Sequence, residues 1–527
     1  MKNNILKFYC TVLICAIGVW SCTDLEIEET DSIINEGFQG VANAASAVEA
    51  IYNDMNGHYS TQENLYSLSE VTSDAAIIPT RGGDWGDNGR WTQLHQHLWT
   101  PEHQFVIGTW DQWNRNQLLA SQVLDPRSNP TSKDIGEASF LRALSMWNIL
   151  DLYGQVPYRD VSLPSSSLPE ILTGQSAVDF IISDIDTAIT NIPEIQAGDF
   201  TPEVGLEKAG KAAARFLKAK ILLNKHIYLG NESPDSNDMS TVISLVDQIT
   251  EDGFELQDGY FDIFRETADS ETIWYRKSDV GPRIHNGLHY NSLTQEGGGW
   301  NGFATLAEYY DLFEGDPQSN RIDINGNPLD GQEERRGGVP PAGVNELVDS
   351  QVGNGFLIGQ QYSNEGEALN DRAGAPLTFK KQFLDISGNS NIINNDETTG
   401  IRVIKYSPQY GSRNQHMVIF RYADAYLMKA EAMFRSGGDP TDMINELREI
   451  RNADPLSNVT EQDIIDERGR ELFAEGWRRN DLIRFDRYLR DWQFKAPGSI
   501  DNDQYKLFPI PDSQLLANPN LVQNPGY

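Results

Sequence analysis

Glu467, Glu471 and Glu475 recur at intervals of four, so a helix through them would carry three carboxylates on one face. Hydrolysis of a glycosidic bond needs two such groups flanking it, one of them protonated. The neighbours argue against that use. Arg468, Arg470, Arg478, Arg479 and Arg484 crowd the same stretch, and guanidinium groups keep nearby carboxylates ionised, the wrong state for a general acid. The segment reads as charge pairs stapling helices together. His95-Gln96-His97, with His103 close behind, offers imidazoles to zinc. A catalytic site would still need a third ligand and an open water position, and no His-Glu-x-x-His helix stands nearby. Polar loop packing is the simpler reading. Asp323-x-Asn325-x-Asn327 alternates like a calcium loop, but Gly326 comes too early for an EF-hand. No metal or cofactor is expected, with a structural calcium left open. No nucleophile elbow, P-loop or dinucleotide fingerprint stands out.

Aromatic residues in glycine-rich loops are the stronger signal. Arg81-Gly82-Gly83-Asp84-Trp85-Gly86-Asp87-Asn88-Gly89-Arg90-Trp91 sets two tryptophans in a charged loop that a core would not easily absorb. An indole held open there would stack on a pyranose or furanose ring, while Arg81, Asp84 or Asn88 bonded its hydroxyls. Each such stack contributes on the order of 1–3 kcal/mol, by analogy with nucleobases on aromatic plates. Trp85 is expected to bind; Trp91 is read either as a second plate or as the anchor of its own loop. Gly297-Gly298-Gly299-Trp300-Asn301-Gly302 lacks the lysine of a phosphate loop and reads as a loop displaying Trp300, which with Tyr290 and Asn291 makes a second rank of glycan-binding candidates in the central loops. Trp110, Trp113 and Trp147 lie on helical stripes and belong to a core, and Trp477 is read as structural.

Helices must position these loops. Three-and-four spacing of apolar residues predicts helices over 37–55, 102–124, 134–153, 177–192 and 208–228. Gly154 and Pro193 provide stops. From Gly253 to about Ile401, Gly, Asn and Asp interrupt short apolar pieces, with one helix expected over 305–313. Asp323–Asn327 and Asp385–Asn395 read as loops. Helices return over 418–435, 443–452, 461–475 and 477–489, the first two joined by Ser436-Gly437-Gly438-Asp439-Pro440. Helical hairpins that cannot bury their own faces must stack on one another. The expected fold is mostly α: a tetratricopeptide-like helical superhelix with a large irregular, loop-rich region and few short strands. Its parts are 37–252, 253–401 and 402–527, expected to form one compact unit.

Hydrophobic residues at 39% and aromatics at 10% support a substantial core. Lys and Arg number 42 against 77 Asp and Glu, a net charge of −35, so phosphate backbones are repelled and nucleic acid is a poor partner. At the N-terminus, Lys2 and Lys7 precede an apolar run from Phe8 to Trp20, short for a membrane span and suited to a signal peptide over 1–21. The Ser21-Cys22 junction resembles a bacterial lipobox, and 22–36 reads as an acidic tether. Loss of Cys10 and Cys15 with the signal leaves Cys22 as the one mature cysteine, which excludes an intramolecular disulfide and suits acylation.

Several segments together resemble the SusD/RagB family of surface nutrient-binding lipoproteins of Bacteroidetes. These are Arg421-Tyr422-Ala423-Asp424-Ala425-Tyr426-Leu427-Met428-Lys429-Ala430-Glu431-Ala432, the run from Glu467 through Trp477-Arg478-Arg479-Asn480-Asp481-Leu482 to Phe485, and the closing Leu507-Phe508-Pro509-Ile510-Pro511 and Gln523-Asn524-Pro525-Gly526-Tyr527. Upstream, Phe140-Leu141-Arg142-Ala143 and Tyr153-Gly154-Gln155-Val156-Pro157 match as well. The resemblance implies a right-handed tetratricopeptide superhelix and a non-catalytic protein. It would be anchored in the outer membrane through Cys22, capturing oligosaccharides for a SusC-like TonB-dependent transporter. A peptide-binding uptake lipoprotein is the alternative, and a surface glycoside hydrolase a more distant one.

Overall fold

A computed structural model of the protein describes residues 37–197, 207–265, 269–292, 298–342, 352–363, 366–406 and 416–527. The expected signal peptide, Cys22 and the acidic tether lie outside the described residues. In chain order the first helices are α1 (Ala44–Ser60), α2 (Leu65–Glu70), α3 (Arg90–Gln96), α4 (Gln104–Leu124), α5 (Ser132–Tyr153), α6 (Gly174–Asn191), α7 (Lys211–Leu229) and α8 (Ser236–Glu251). After short α9 (Gly281–His285) and α10 (Ala307–Tyr310) come α11 (Tyr422–Arg435), α12 (Thr441–Ile450), α13 (Glu461–Glu471), α14 (Arg478–Arg484) and α15 (Asp512–Ala517).

α5 is the central rod. Thr131 and Asp134 form a capping box at its start, and Gly154 at φ +72 closes its end. Phe140, Leu144, Trp147 and Leu150 are buried, but so are Ala138, Leu141 and Ile149 on other faces, as expected for a helix covered all round. It packs between α4 and α6; α6 packs on α7, α7 on α8, and α8 on α11. Contact between successive helices is the mark of a stacked helical array. The mostly helical fold with few short strands is the one the sequence predicts.

Several local expectations need correction: the helix expected over 37–55 begins only at Ala44, that over 305–313 is the short Ala307–Tyr310, and that over 477–489 ends at Arg484. Met417–Arg421, expected to open a helix at 418, is a strand paired antiparallel with Thr272–Arg276. Its β-branched and aromatic residues Val418, Ile419 and Phe420 favour that pairing, and α11 begins only at Tyr422. α13 ends at Glu471 rather than at 475, because Ala474 adopts φ +57 and Gly476 φ +87.

The central region is built from tight hairpins. Asp323, Asp371 and Asp385 each begin an Asp-x-x-Gly-x turn, with Gly326, Gly374 and Gly388 at φ +86, +89 and +82. Each Asp accepts backbone N–H groups two and four residues on, as in Asn325 and Asn327 onto Asp323 at 2.7 and 2.9 Å. The same pair forms on Asp371 and on Asp385. A type I turn completed by a left-handed glycine is the three-residue hairpin loop. The Asp323 carboxylate, calcium-like in sequence, is thereby engaged by its own turn, with Asn327 Nδ2 adding a third donor at 2.9 Å.

Candidate ligand-binding site

Arg81 and Asp84 exchange backbone hydrogen bonds of 3.0 Å around Gly82-Gly83, and Gly82 at φ +60 makes this reversal free of Cβ strain. The tight turn leads directly into Trp85, itself held at φ +59. The Trp85 indole N–H donates to the Trp300 carbonyl at 2.6 Å, so two loops separated by more than two hundred residues are tied at the aromatic pair itself. Trp85 is half-buried, edge-on to Trp91 at 5.5 Å and to Phe303 at 6.0 Å. Its ring lies so close over Gly302 that a Cβ there would fall 2.3 Å from it. Trp300 is 47% exposed, with its ring 6.2 Å from that of His285.

Tyr290 joins the same patch. Its hydroxyl donates to Asp84 Oδ2 at 2.5 Å; burial, and then the bond to Asp84, push its pKa up, so it remains a donor. Asn291 Nδ2 donates to the Asn370 carbonyl at 2.8 Å and so holds the Asp371 hairpin against the site. That hairpin brings in Arg372, which the sequence did not single out. Its guanidinium lies 3.8 Å from the Tyr290 ring centre, is ion-paired with Glu397, and stands 3.6 Å from Asp84. No spacing links Arg372 to Tyr290; only the Asp-x-x-Gly-x turn at its position was readable. Asn88 is exposed on the rim, in the 3-10 turn Asp87–Gly89.

Geometry decides between the two readings of Trp91, removes Arg81 from the ligand-facing set and limits the part Tyr290 can take. Trp91 is not in the loop but in the first turn of α3, 2% exposed, with its indole N–H on Asp87 Oδ2 at 2.8 Å. It is the floor beneath Trp85, the anchor rather than the plate. Arg81 is equally buried and its guanidinium is consumed by the protein: Nε donates to the Asn301 carbonyl and Nη2 to that of Thr399, both at 2.8 Å. It staples three segments together and does not face a ligand. Tyr290 has one ring face covered by Arg372, so it contributes through its hydroxyl rather than as a plate.

The remaining candidate chemistry lies elsewhere. His95 Nε2 sits 2.8 Å from the Gln493 carbonyl and His97 Nε2 2.7 Å from that of Thr72. His103 caps α4, its Nδ1 accepting the Phe105 N–H. Among the described residues no group of three or more His, Cys, Asp or Glu could hold a metal ion. Glu467 and Glu471 are fully buried, bound by Arg335, Arg448 and Arg470 and by Arg335, Arg421 and Arg451 respectively. Burial alone would raise the Glu467 pKa, but the three arginines outweigh it and hold it at about 2. Two largely enclosed cavities, of about 40 and 70 Å³, admit waters but are far below the volume of an ordinary ligand pocket. The candidate site is the open face formed by Trp85, Trp300 and their polar rim.

A model of the SusD family matches residues 266–527. The chain is 28% identical to the starch-binding protein SusD of Bacteroides thetaiotaomicron, the match covering 100% of each. Its fold is similar to the crystal structure of a SusD-like protein from Bacteroides fragilis, with a TM-score of 0.67 at 19% identity over 94% of this chain and 99% of that one. A laminarin-binding SusD-like protein superposes with a TM-score of 0.61 at 20% identity, covering 93% of this chain and 100% of that one. Sequence along the whole length, the helical array and the match to its second half agree: the chain belongs to the SusD family.

Proposed function

We propose that this protein binds oligosaccharides at the surface of the outer membrane and passes them, uncleaved, to a SusC-like TonB-dependent transporter. The observation that carries the reading is the bond from Trp85 to the Trp300 carbonyl, which fixes a half-exposed indole beside an exposed one. Sugars present apolar C–H faces to such plates and hydroxyls to a rim of Asp84, Asn88, Asn291 and the Tyr290 hydroxyl. Binding by stacking and neutral hydrogen bonds depends only weakly on salt. The family's outer-membrane setting, the expected acylation at Cys22, and relatives named for starch and laminarin binding support the same reading. The best-spaced carboxylates, Glu467 and Glu471, are buried and ionised, which favours binding over hydrolysis.

Electrophoresis through gels containing starch, laminarin or xyloglucan tests the reading. Retardation by at least one polysaccharide, with no reducing ends released from it, is the expected result. Release of reducing ends would replace a binding protein with a hydrolase, and retention of peptides but no glycan would favour the peptide-uptake alternative.

Gly302→Ala gives a sharper test of the geometry. Its Cβ would intrude on the Trp85 ring, so affinity for the retained glycan should drop about tenfold, the worth of one displaced plate. Tryptophan fluorescence should shift with it. Unchanged fluorescence and affinity would mean that Trp85 does not rest on Gly302.

A further inference from the structure

Resting on that reading of the Trp85–Trp300 face, we infer that Arg372 is a specificity-determining residue: it closes the Tyr290 ring and thereby sets how many consecutive sugar units the site accepts. Trp85, Trp300 and Tyr290 stand on one patch, joined by the indole bond to the Trp300 carbonyl and by the Tyr290 hydroxyl on Asp84. Three rings in that arrangement would offer three plates. The third is covered, because the Arg372 guanidinium carbon sits over the ring, 3.8 Å from the Tyr290 centre, the distance of a cation packed on an aromatic face.

Two carboxylates, Glu397 and Asp84, hold Arg372 there. Its backbone N–H donates to Glu397 Oε2 at 3.2 Å, its Nε pairs with Glu397 Oε1, and Asp84 stands 3.6 Å from Nη2. The Asp371 turn fixes the backbone beneath it, with Asp371 accepting the N–H groups of Ala373 and Ala375 at 2.9 Å. The side chain is nevertheless 49% exposed, so no core depends on it. A sugar chain crossing Trp85 and Trp300 meets a paired cation where a third plate would be. Extension in that direction adds no stacking.

The test compares Arg372→Ala, Tyr290→Ala and the double variant, using calorimetry with malto- and laminari-oligosaccharides of three and seven units. Wild type should show little preference for seven units over three. Arg372→Ala should raise that preference about tenfold, the worth of one added stacked ring. In the double variant the gain should disappear, because the uncovered plate is gone. A merely structural Arg372 would change both lengths alike, and that result would overturn the inference, as would a gain that survives removal of Tyr290. Trp300→Ala separates the two levels: if it leaves the affinity for both lengths intact, the stacking face itself is wrongly placed. Wild type binding neither series would defeat both readings at once.

Discussion

Glu471→Ala is expected to destabilise the protein by about 3–5 kcal/mol, the cost of removing one partner from a buried ion network. Glu471 touches Arg335 at 3.2 Å, Arg421 at 2.8 Å and Arg451 at 3.1 Å, and all four side chains are at most 1% exposed. The pairs continue outward through Glu271, Glu333, Glu467 and Glu475. This cluster connects α13 to the strand Met417–Arg421, to α12 through Arg448 and its C-cap Arg451, and to the 3-10 turn Glu334–Arg336. Alanine would leave three buried guanidinium groups each short of one counter-ion. Glu461→Ala, on the exposed start of the same helix, should change stability by less than about 0.5 kcal/mol. Urea midpoints of the two variants decide the matter: equal values would show that the network contributes no more than a surface charge.

This network and a second buried cluster around Glu431 fix the direction of the acid response. Burial would raise the pKa values of Glu431 and Glu467, but Arg484 and Arg435 around the first, and Arg335, Arg470 and Arg448 around the second, hold both at about 2. Between about 2 and the ordinary 4.5 the unfolded chain binds more protons than the folded one, so stability rises with pH there. The contribution is complete above about pH 4.5 and is lost as pH falls toward 2. Glu70 acts oppositely, its pKa raised to about 7 by burial, but its effect lies above pH 4.5 and leaves the acid limb exposed. Arg451, Arg421 and Arg335 outweigh burial at Glu471 too and hold its carboxyl far below the usual range, so Glu471→Ala should flatten the fall in urea midpoint between pH 5 and 3 as well as lower it.

The sequence reading succeeded where side-chain spacing alone decides structure. α5 was legible because Thr131, Asp134 and Gly154 bracket an apolar pattern, and α7 because its alanine-rich stripe repeats cleanly. α8 was overlooked although Asp235 caps it and Val242, Leu245, Val246 and Ile249 hold the helical interval. Its polar flank hid a signal that was present. The strand Met417–Arg421 was not legible, because its partner Thr272–Arg276 lies about 140 residues earlier and a short apolar run reads equally as helix. The open alternative at Trp91 and the wrong expectation for Arg81 have one common reason. Loop composition marks exposure of a segment on average, whereas here Arg81 turns inward to carbonyls of Asn301 and Thr399, and Trp91 enters a helix beneath its neighbour. Long-range partners decide such cases, and a single sequence does not display them. That Trp85, Asp84, Tyr290, Asn291 and Trp300 gather on one patch was anticipated only as a set of residue types, not as a place.

Trp300→Ala and Trp85→Ala are expected to differ in a way that exposes how the site is made. Trp300 is 47% exposed and its side chain is not the group that Trp85 bonds; the acceptor is its backbone carbonyl. Trp300→Ala should therefore weaken glycan binding about tenfold or more and leave the melting temperature nearly unchanged. Trp85 has two duties, because its indole rests on Trp91, Phe303 and Gly302 while its N–H fastens the Trp300 loop. Trp85→Ala should cost more, about a hundredfold in affinity if both plates are lost, together with a measurable fall in melting temperature. Once Trp85 is gone the Trp300 plate is no longer held in register. Adding Trp300→Ala should then cost little more, a non-additivity that groups acting as a unit display. Calorimetric titration of the retained glycan against the two single variants and the double variant measures it. Strict additivity would mean that the two indoles bind independently and that the bond between their loops does not build the site.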